Sequence, residues 1–196
     1  TAYEPGSGST IMSYAGICPG QNLQFNSDDY FHIASLNQMT SFAHSGGGSS
    51  CGVSTPTGNT APEVEGGVED LTLPAETPFM LEGSATDAEQ DAENLTYTWE
   101  QYDRGPQGPP NNPQGNAPLF RSFLPVDEPV RVFPRLESLL SGNISFGELL
   151  PDYTRSLRFR LTVRDNAPGT GAVSFAQVEF QVTDGAGPFE VPVPGD

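Results

Sequence analysis

Leu157-Arg158-Phe159-Arg160-Leu161-Thr162-Val163-Arg164 alternates apolar and polar side chains without a slip. A period of two sends one set of side chains into a core and the other towards water, the pattern of a half-buried β-strand. Working outward, Phe175, Val178, Phe180 and Val182 alternate across Ser174–Val182 with one slip near Ala176. Leu95, Tyr97 and Trp99 do the same across Leu95–Tyr102, and Val68–Leu73 and Phe79–Ala85 are further candidates. A Trp-bearing strand followed much later by a paired hairpin matches strands C, F and G of a β-sandwich, so a sandwich is expected over residues 62–184. It carries a long insertion, 103–155, with an irregular Gly105–Pro118, a strand at Val130–Phe133 and a helical turn at Arg135–Leu140. An insertion of this length is a candidate binding surface, although nothing in it names a ligand. Residues 185–196 read as a tail or linker.

Residues 1–55 read differently. Asn26-Ser27-Asp28-Asp29 has the composition of a helix start, with a side chain to cap free N–H groups and two carboxylates at the positive end of the dipole. Phe31, Ser35, Leu36, Met39 and Phe42 then fall on one helical face, and Gly46-Gly47-Gly48 ends the helix. His32 lies at the edge of that face and reads as a packed histidine; His44 reads as exposed. Residues 56–61 lie in a Pro/Gly/Thr/Asn stretch that reads as a linker.

The net charge is −17, with no lysine and with all eight arginines between Arg104 and Arg164. So acidic a surface repels a phosphate backbone, which argues against nucleic acid as a partner. No stretch is long and apolar enough to span a bilayer as a helix. The chain opens on Thr1 without a leader-like segment, so Thr1 reads as a processing site or an artificial boundary, with any signal peptide upstream. Cys18 and Cys51 lack the soft neighbours of a zinc site and read as a disulfide formed in an oxidising compartment; an upstream partner for either is the alternative. The protein is therefore expected to be secreted or extracellular.

Gly6-Ser7-Gly8-Ser9-Thr10-Ile11-Met12-Ser13-Tyr14-Ala15-Gly16-Ile17-Cys18 resembles the Met-turn region of reprolysin-like metzincin zinc peptidases, and Ser27-Asp28-Asp29-Tyr30-Phe31-His32-Ile33 resembles their closing helix. The resemblance covers about the first fifty residues. It implies that Met12 forms the hydrophobic floor beneath a catalytic zinc and that Tyr14 reaches the zinc or the oxyanion. It also implies a parent zinc metalloendopeptidase acting on protein or peptide substrates, with its catalytic domain upstream in the same chain. The departure is equally clear: neither histidine precedes Met12, and the H-E-x-x-H-x-x-G-x-x-H zinc motif is absent. The chain is thus expected to hold no zinc ligands and to be inactive alone. Gly83-Ser84-Ala85-Thr86-Asp87, Asp91 and Leu95-Thr96-Tyr97-Thr98-Trp99 resemble immunoglobulin-like or cadherin-like modules. The expected fold is mainly β, an immunoglobulin-like sandwich preceded by a short helical metzincin remnant. The sandwich would position the catalytic domain or bind substrate or the cell surface. The alternative is a non-catalytic adhesion or ligand-binding module.

One acidic constellation invites a metal. Asp87, Glu89 and Asp91, with Asn94 close behind, supply the alternating oxygens that calcium requires. The expected strand order brings Asp165 and Asn166 to the same pole. The competing expectation is a solvated loop in which Asp87 and Asp165 cap turns. No Ser–His–Asp set is credible, and Glu76, Glu82 and Glu100 offer no readable catalytic pairing. Gly46-Gly47-Gly48 follows a helix instead of opening one, so it is no phosphate loop.

Overall fold

The computed structural model describes residues 1–67, 70–143 and 145–188. Its strands are β1 (Glu63–Glu65), β2 (Thr72–Pro74), β3 (Phe79–Glu82), β4 (Ser84–Thr86), β5 (Thr96–Gln101), β6 (Val130–Phe133), β7 (Arg155–Arg164) and β8 (Val173–Thr183). Among the described residues they are accompanied by α1 (Ile33–His44), α2 (Leu136–Ser141) and one 3-10 turn at Ala92–Asn94. The protein is mainly β, with open sheets. One sheet runs β2-β8-β7-β5; β1 pairs β4 and β3 pairs β6 as separate ribbons.

The alternating stretch does what its pattern requires. In β7, Leu157, Phe159, Leu161 and Val163 are all fully buried, while the arginines between them point the other way. β7 lies between β8 and β5, with Phe159 opposite Val178 and Gln101. The core is aromatic: Phe159 packs on Phe133 of β6 at a centroid distance of 4.7 Å, on Phe79 of β3 at 5.7 Å and on Phe180 of β8 at 5.9 Å. These contacts join the β3-β6 ribbon to the four-stranded sheet, and ring pairs of this kind contribute beyond their burial.

Where the chain departs from the alternating pattern, a local constraint is visible. Phe79–Ala85 is broken at Gly83, where a Cβ would stand 2.5 Å from both the Glu65 carbonyl oxygen and Leu161 Cδ2. That close approach lets the chain leave the β6 ribbon and pair with β1. Of the expected Val68–Leu73 strand, positions 68 and 69 lie outside the described residues, and the strand present is Thr72–Pro74, parallel to β8. In the expected tail 185–196, residues 189–196 also lie outside them.

The insertion is part of the core. Leu119, Phe120 and Phe133 are buried in the same cluster as β7. The buried Gln101 Oε1 accepts from the Leu119 and Phe120 amides at 2.7 and 2.9 Å, which satisfies two interior N–H groups. Arg131 of β6 ties the layers together. Its Nη1 donates to the Trp99 carbonyl of β5 at 2.6 Å, and its Nη2 donates to the Arg121 carbonyl at 2.8 Å and to Glu148 Oε1 at 2.9 Å. Burial pulls the Arg131 guanidinium below its ordinary range, while Glu148 holds it charged.

The N-terminal segment differs from expectation in two ways. α1 begins at Ile33, capped by His32, whose Nδ1 accepts from the Ala34 amide at 3.1 Å. The helix cannot start at Asn26–Asp29, because the backbone there is committed elsewhere: the Asp28 amide donates to the Ser9 carbonyl and the Tyr30 carbonyl accepts from the Ile11 amide. The expected apolar face is also largely uncovered. Ile33 and Ala34 are buried, but Met39 and Phe42 are 41% and 62% exposed. Cys18 and Cys51 are free cysteines, and the expected bridge is not formed. α1 carries the chain roughly 18 Å along its axis, and Gly46–Cys51 stays in tight turns at its far end.

Glu148 has no exposed side-chain surface, so removing it strands the Arg131 charge in the interior. Glu148→Ala is expected to lose about 3–5 kcal/mol of stability, measured by urea unfolding; a loss below about 1 kcal/mol, the level of a surface pair, would contradict the role given to Arg131.

Candidate catalytic floor and acidic pole

The Met12 turn is organised by one carboxylate. Glu4 Oε1 accepts from the Ser9 amide at 2.8 Å and the Thr10 amide at 3.3 Å, and Oε2 accepts from Thr10 Oγ1 at 2.7 Å. The turn then closes through Ser13 N to the Thr10 carbonyl at 3.0 Å and Tyr14 N to the Ser7 carbonyl at 2.8 Å. Gly8 has φ +68°, and a Cβ there would lie 2.7 Å from Ser13 Cβ and 2.9 Å from Glu4 Oε2. Only glycine fits so close a fold with that backbone. Ser7, Ser9 and Thr10 are buried, whereas Met12 and Tyr14 are 66% and 67% exposed. A cavity of about 210 Å³ lies between the turn and the start of α1, bordered by Glu4, Met12, Tyr14 and His32.

Glu100 of β5 anchors this segment from below. It is fully buried, and its Oε2 accepts from the Ile33 amide at 2.9 Å, satisfying one of the free N–H groups at the start of α1. Ser122 Oγ and Thr162 Oγ1 donate to the same carboxylate at 3.3 and 3.4 Å. His32 Nε2 stands 3.8 Å from Glu100 Oε1, outside hydrogen-bond range. Arg164 adds a second tie, from Nη2 to the Phe31 carbonyl at 3.2 Å. Burial first, then the Glu100 carboxylate, push the Tyr30 phenol well above its ordinary range. Residues 1–55 and the β layers thus share a hydrogen-bonded, buried contact across the division expected from the sequence.

His32 is buried, as expected, but as the cap before α1 and not on a helical face, and His44 is exposed at the end of α1. His32 uses Nδ1 as a helix cap, and among the described residues no three His, Cys, Asp or Glu side chains converge on a possible metal position.

At the acidic pole the structure brings some of the expected residues together and leaves others apart. Asp165 is fully buried; its Oδ1 accepts from the Ala167 and Ala172 amides at 3.1 and 2.8 Å, and its Oδ2 accepts from Asn59 Nδ2 at 2.6 Å. Glu89 Oε2 accepts from Thr60 N and Oγ1 at 3.0 and 2.6 Å. Asp87 Oδ1 caps the Glu89 and Gln90 amides at 2.9 and 2.8 Å. Asp91 is exposed and makes no side-chain cap. Asn166 reaches the Asn94 carbonyl at 2.8 Å through its side chain, so Asn94 presents its backbone there. N–H and O–H donors occupy both oxygens of Asp165, Oε2 of Glu89 and Oδ1 of Asp87, while Asp87 Oδ2 is buried without a hydrogen-bond partner. The turn-capping role of Asp87 and Asp165 is the one the geometry displays.

Three residues that matter here carried no sequence signal of their own: Glu4, Glu100 and Asn59. Glu100 sits in the run Thr98-Trp99-Glu100-Gln101, every member of which is buried. A carboxylate inside such a run points to a polar partner beneath the sheet.

No family model matches the chain, and no curated protein or solved structure matches it either. Among the described residues no helix is long and apolar enough to cross a membrane.

Burial opposes ionisation of Asp165, but the bonds from Asn59, Ala172 and Ala167 outweigh it and hold the carboxyl below the usual carboxylate range. A lowered folded-state pKa gives stability that is full above the unfolded value and is lost as pH falls through the folded one. The stability gap between the parent chain and Asp165→Asn, read by urea unfolding, should stay constant above about pH 5 and shrink as the pH drops further. A gap that widens on acidification would overturn this assignment.

Proposed function

We propose that this chain is the C-terminal part of a secreted, zinc-dependent endopeptidase of the metzincin type, its first 55 residues closing the catalytic domain and the remainder forming an immunoglobulin-like module. The observation that carries the reading is the Met12 turn, built at cost and left uncovered. Buried Ser9 and Thr10, the Glu4 carboxylate and a left-handed Gly8 hold it, yet its tip presents Met12 and Tyr14 to solvent, and Ile17 and Phe25 further along the segment are 70% and 86% exposed. A tight turn with a rigid base and an apolar crown is what a floor needs if a catalytic layer is to sit on it. Large apolar side chains left exposed along one segment suit a site of association.

In this reading the zinc ligands and the general base belong to upstream residues of the parent. The metal would supply an activated water to attack the peptide carbonyl. This chain contributes position: Glu4 sets the turn, Met12 lies under the site and Tyr14 borders the cavity. The partners are the upstream catalytic domain and a peptide or protein substrate. One feature favours the second reading, an adhesion or ligand-binding module. A groove of about 320 Å³ lies beside β5 and β6, bordered by Phe123, Leu124, Val126 and Leu136.

The chain alone is expected to leave casein intact with or without added zinc. Joined to the segment its gene encodes before Thr1, it should cleave casein, and a chelator should stop the cleavage. A preceding segment without an H-E-x-x-H-x-x-G-x-x-H motif would refute the protease reading and leave the binding module.

A further inference from the structure

We infer that Glu100 is a positioning residue for the Met12 turn, so that the β layers hold the proposed catalytic floor in place and are more than a tethered accessory. The inference deepens the protease reading and rests on it for its functional meaning.

The path is short. Glu100 Oε2 accepts from the Ile33 amide at 2.9 Å, and three residues earlier the Tyr30 carbonyl accepts from the Ile11 amide at 3.0 Å, next to Met12. The Asp28 amide reaches back to the Ser9 carbonyl at 2.7 Å, and Ser9 Oγ donates to the Ser122 carbonyl at 3.2 Å. Ser122 also donates to Glu100, so the turn, the approach to α1 and the β5 carboxylate form one closed circuit. Tyr30, Ile33, Ser9 and Ser122 in that circuit are all buried.

Chemistry says why the position carries a carboxylate. An ionised group with no solvent exposure is expensive unless donors surround it. An apolar side chain would fill the same space between Trp99 and Gln101 without that demand. What an apolar residue cannot do is accept from the Ile33 amide, which the start of α1 leaves free. The carboxylate therefore fixes where α1 begins, and the start of α1 fixes the height of the turn.

The test uses the whole 196-residue chain, with Glu100→Leu, which removes the acceptor, and Glu100→Gln, which keeps one. Amide hydrogen exchange is read at Ile11, Tyr14 and Ile33 and, as the internal reference, at Phe159 and Leu161 of β7. Glu100→Leu should lower protection of the first group by about tenfold or more, the loss of one charge-assisted hydrogen bond, with the β7 amides unchanged; Glu100→Gln should restore most of it. Wild-type protection at Ile11 and Tyr14 in Glu100→Leu, or a loss shared equally by β7, would overturn the inference. Should Glu100→Leu not fold, Ser122→Ala, which withdraws one donor from the carboxylate, must produce a smaller loss confined to the same amides. In the longer protein the Leu variant should lower kcat for casein with KM unchanged. A longer wild-type protein without proteolytic activity would count against the protease reading, while the exchange result would still decide the role of Glu100.

Discussion

A buried carboxylate accepting one backbone amide is the constraint on which the arrangement depends. Glu100 projects from β5 beneath the start of α1, where helix geometry leaves N–H groups without partners. Meeting that need from a strand 67 residues away in sequence joins a segment with little core of its own to a sheet that has a large one. Fifty residues carrying one 12-residue helix would not be stable alone. Anchored through Glu100, Arg164 and Ser122, they share the stability of the aromatic core.

That core divides the work between shape and polarity. Phe79, Phe120, Phe133, Phe159 and Phe180 fill the space between the ribbon and the sheet, chiefly through edge and tilted contacts. Around its rim a few polar groups settle what apolar packing cannot, namely which loop lies where. Gln101 fixes Leu119 and Phe120, Arg131 fixes β6 against β5, and Asp165 fixes the turn before β8 while Asn59 brings the linker to it. Each is buried or nearly so, and each would cost stability if its partners were lost. Met12 and Tyr14 can stay exposed because this scaffold, and not their own burial, holds the turn.

Period-two alternation made β5, β7 and β8 legible, because each turns an apolar face to the core, although in β5 the polar face is buried as well. The short Val130-Arg131-Val132-Phe133 strand and the turn now seen as α2 were legible too. Phe120 was not: it lies just past the irregular Gly105–Pro118, and no local pattern reveals the Gln101 side chain that receives its amide. The start of α1 was misplaced because Asp28 and Tyr30 have good local helix chemistry but spend their backbone groups on Ser9 and Ile11. At the acidic pole the spacing of Asp87, Glu89 and Asp91 was legible, but the donors that Asn59 and Thr60 bring from the linker to Asp165 and Glu89 were not. The Met12 turn was legible only as a resemblance. Its supports, Glu4 and Glu100, lie outside the turn, and long-range acceptors leave no periodic trace.

The central claim is that residues 1–55 and the β layers fold as one body. Differential scanning calorimetry of the whole chain tests it most directly. One transition, with calorimetric and van 't Hoff enthalpies equal, is the result this account requires. Two separable transitions, the smaller one assigned to α1 and the Met12 turn, would contradict it.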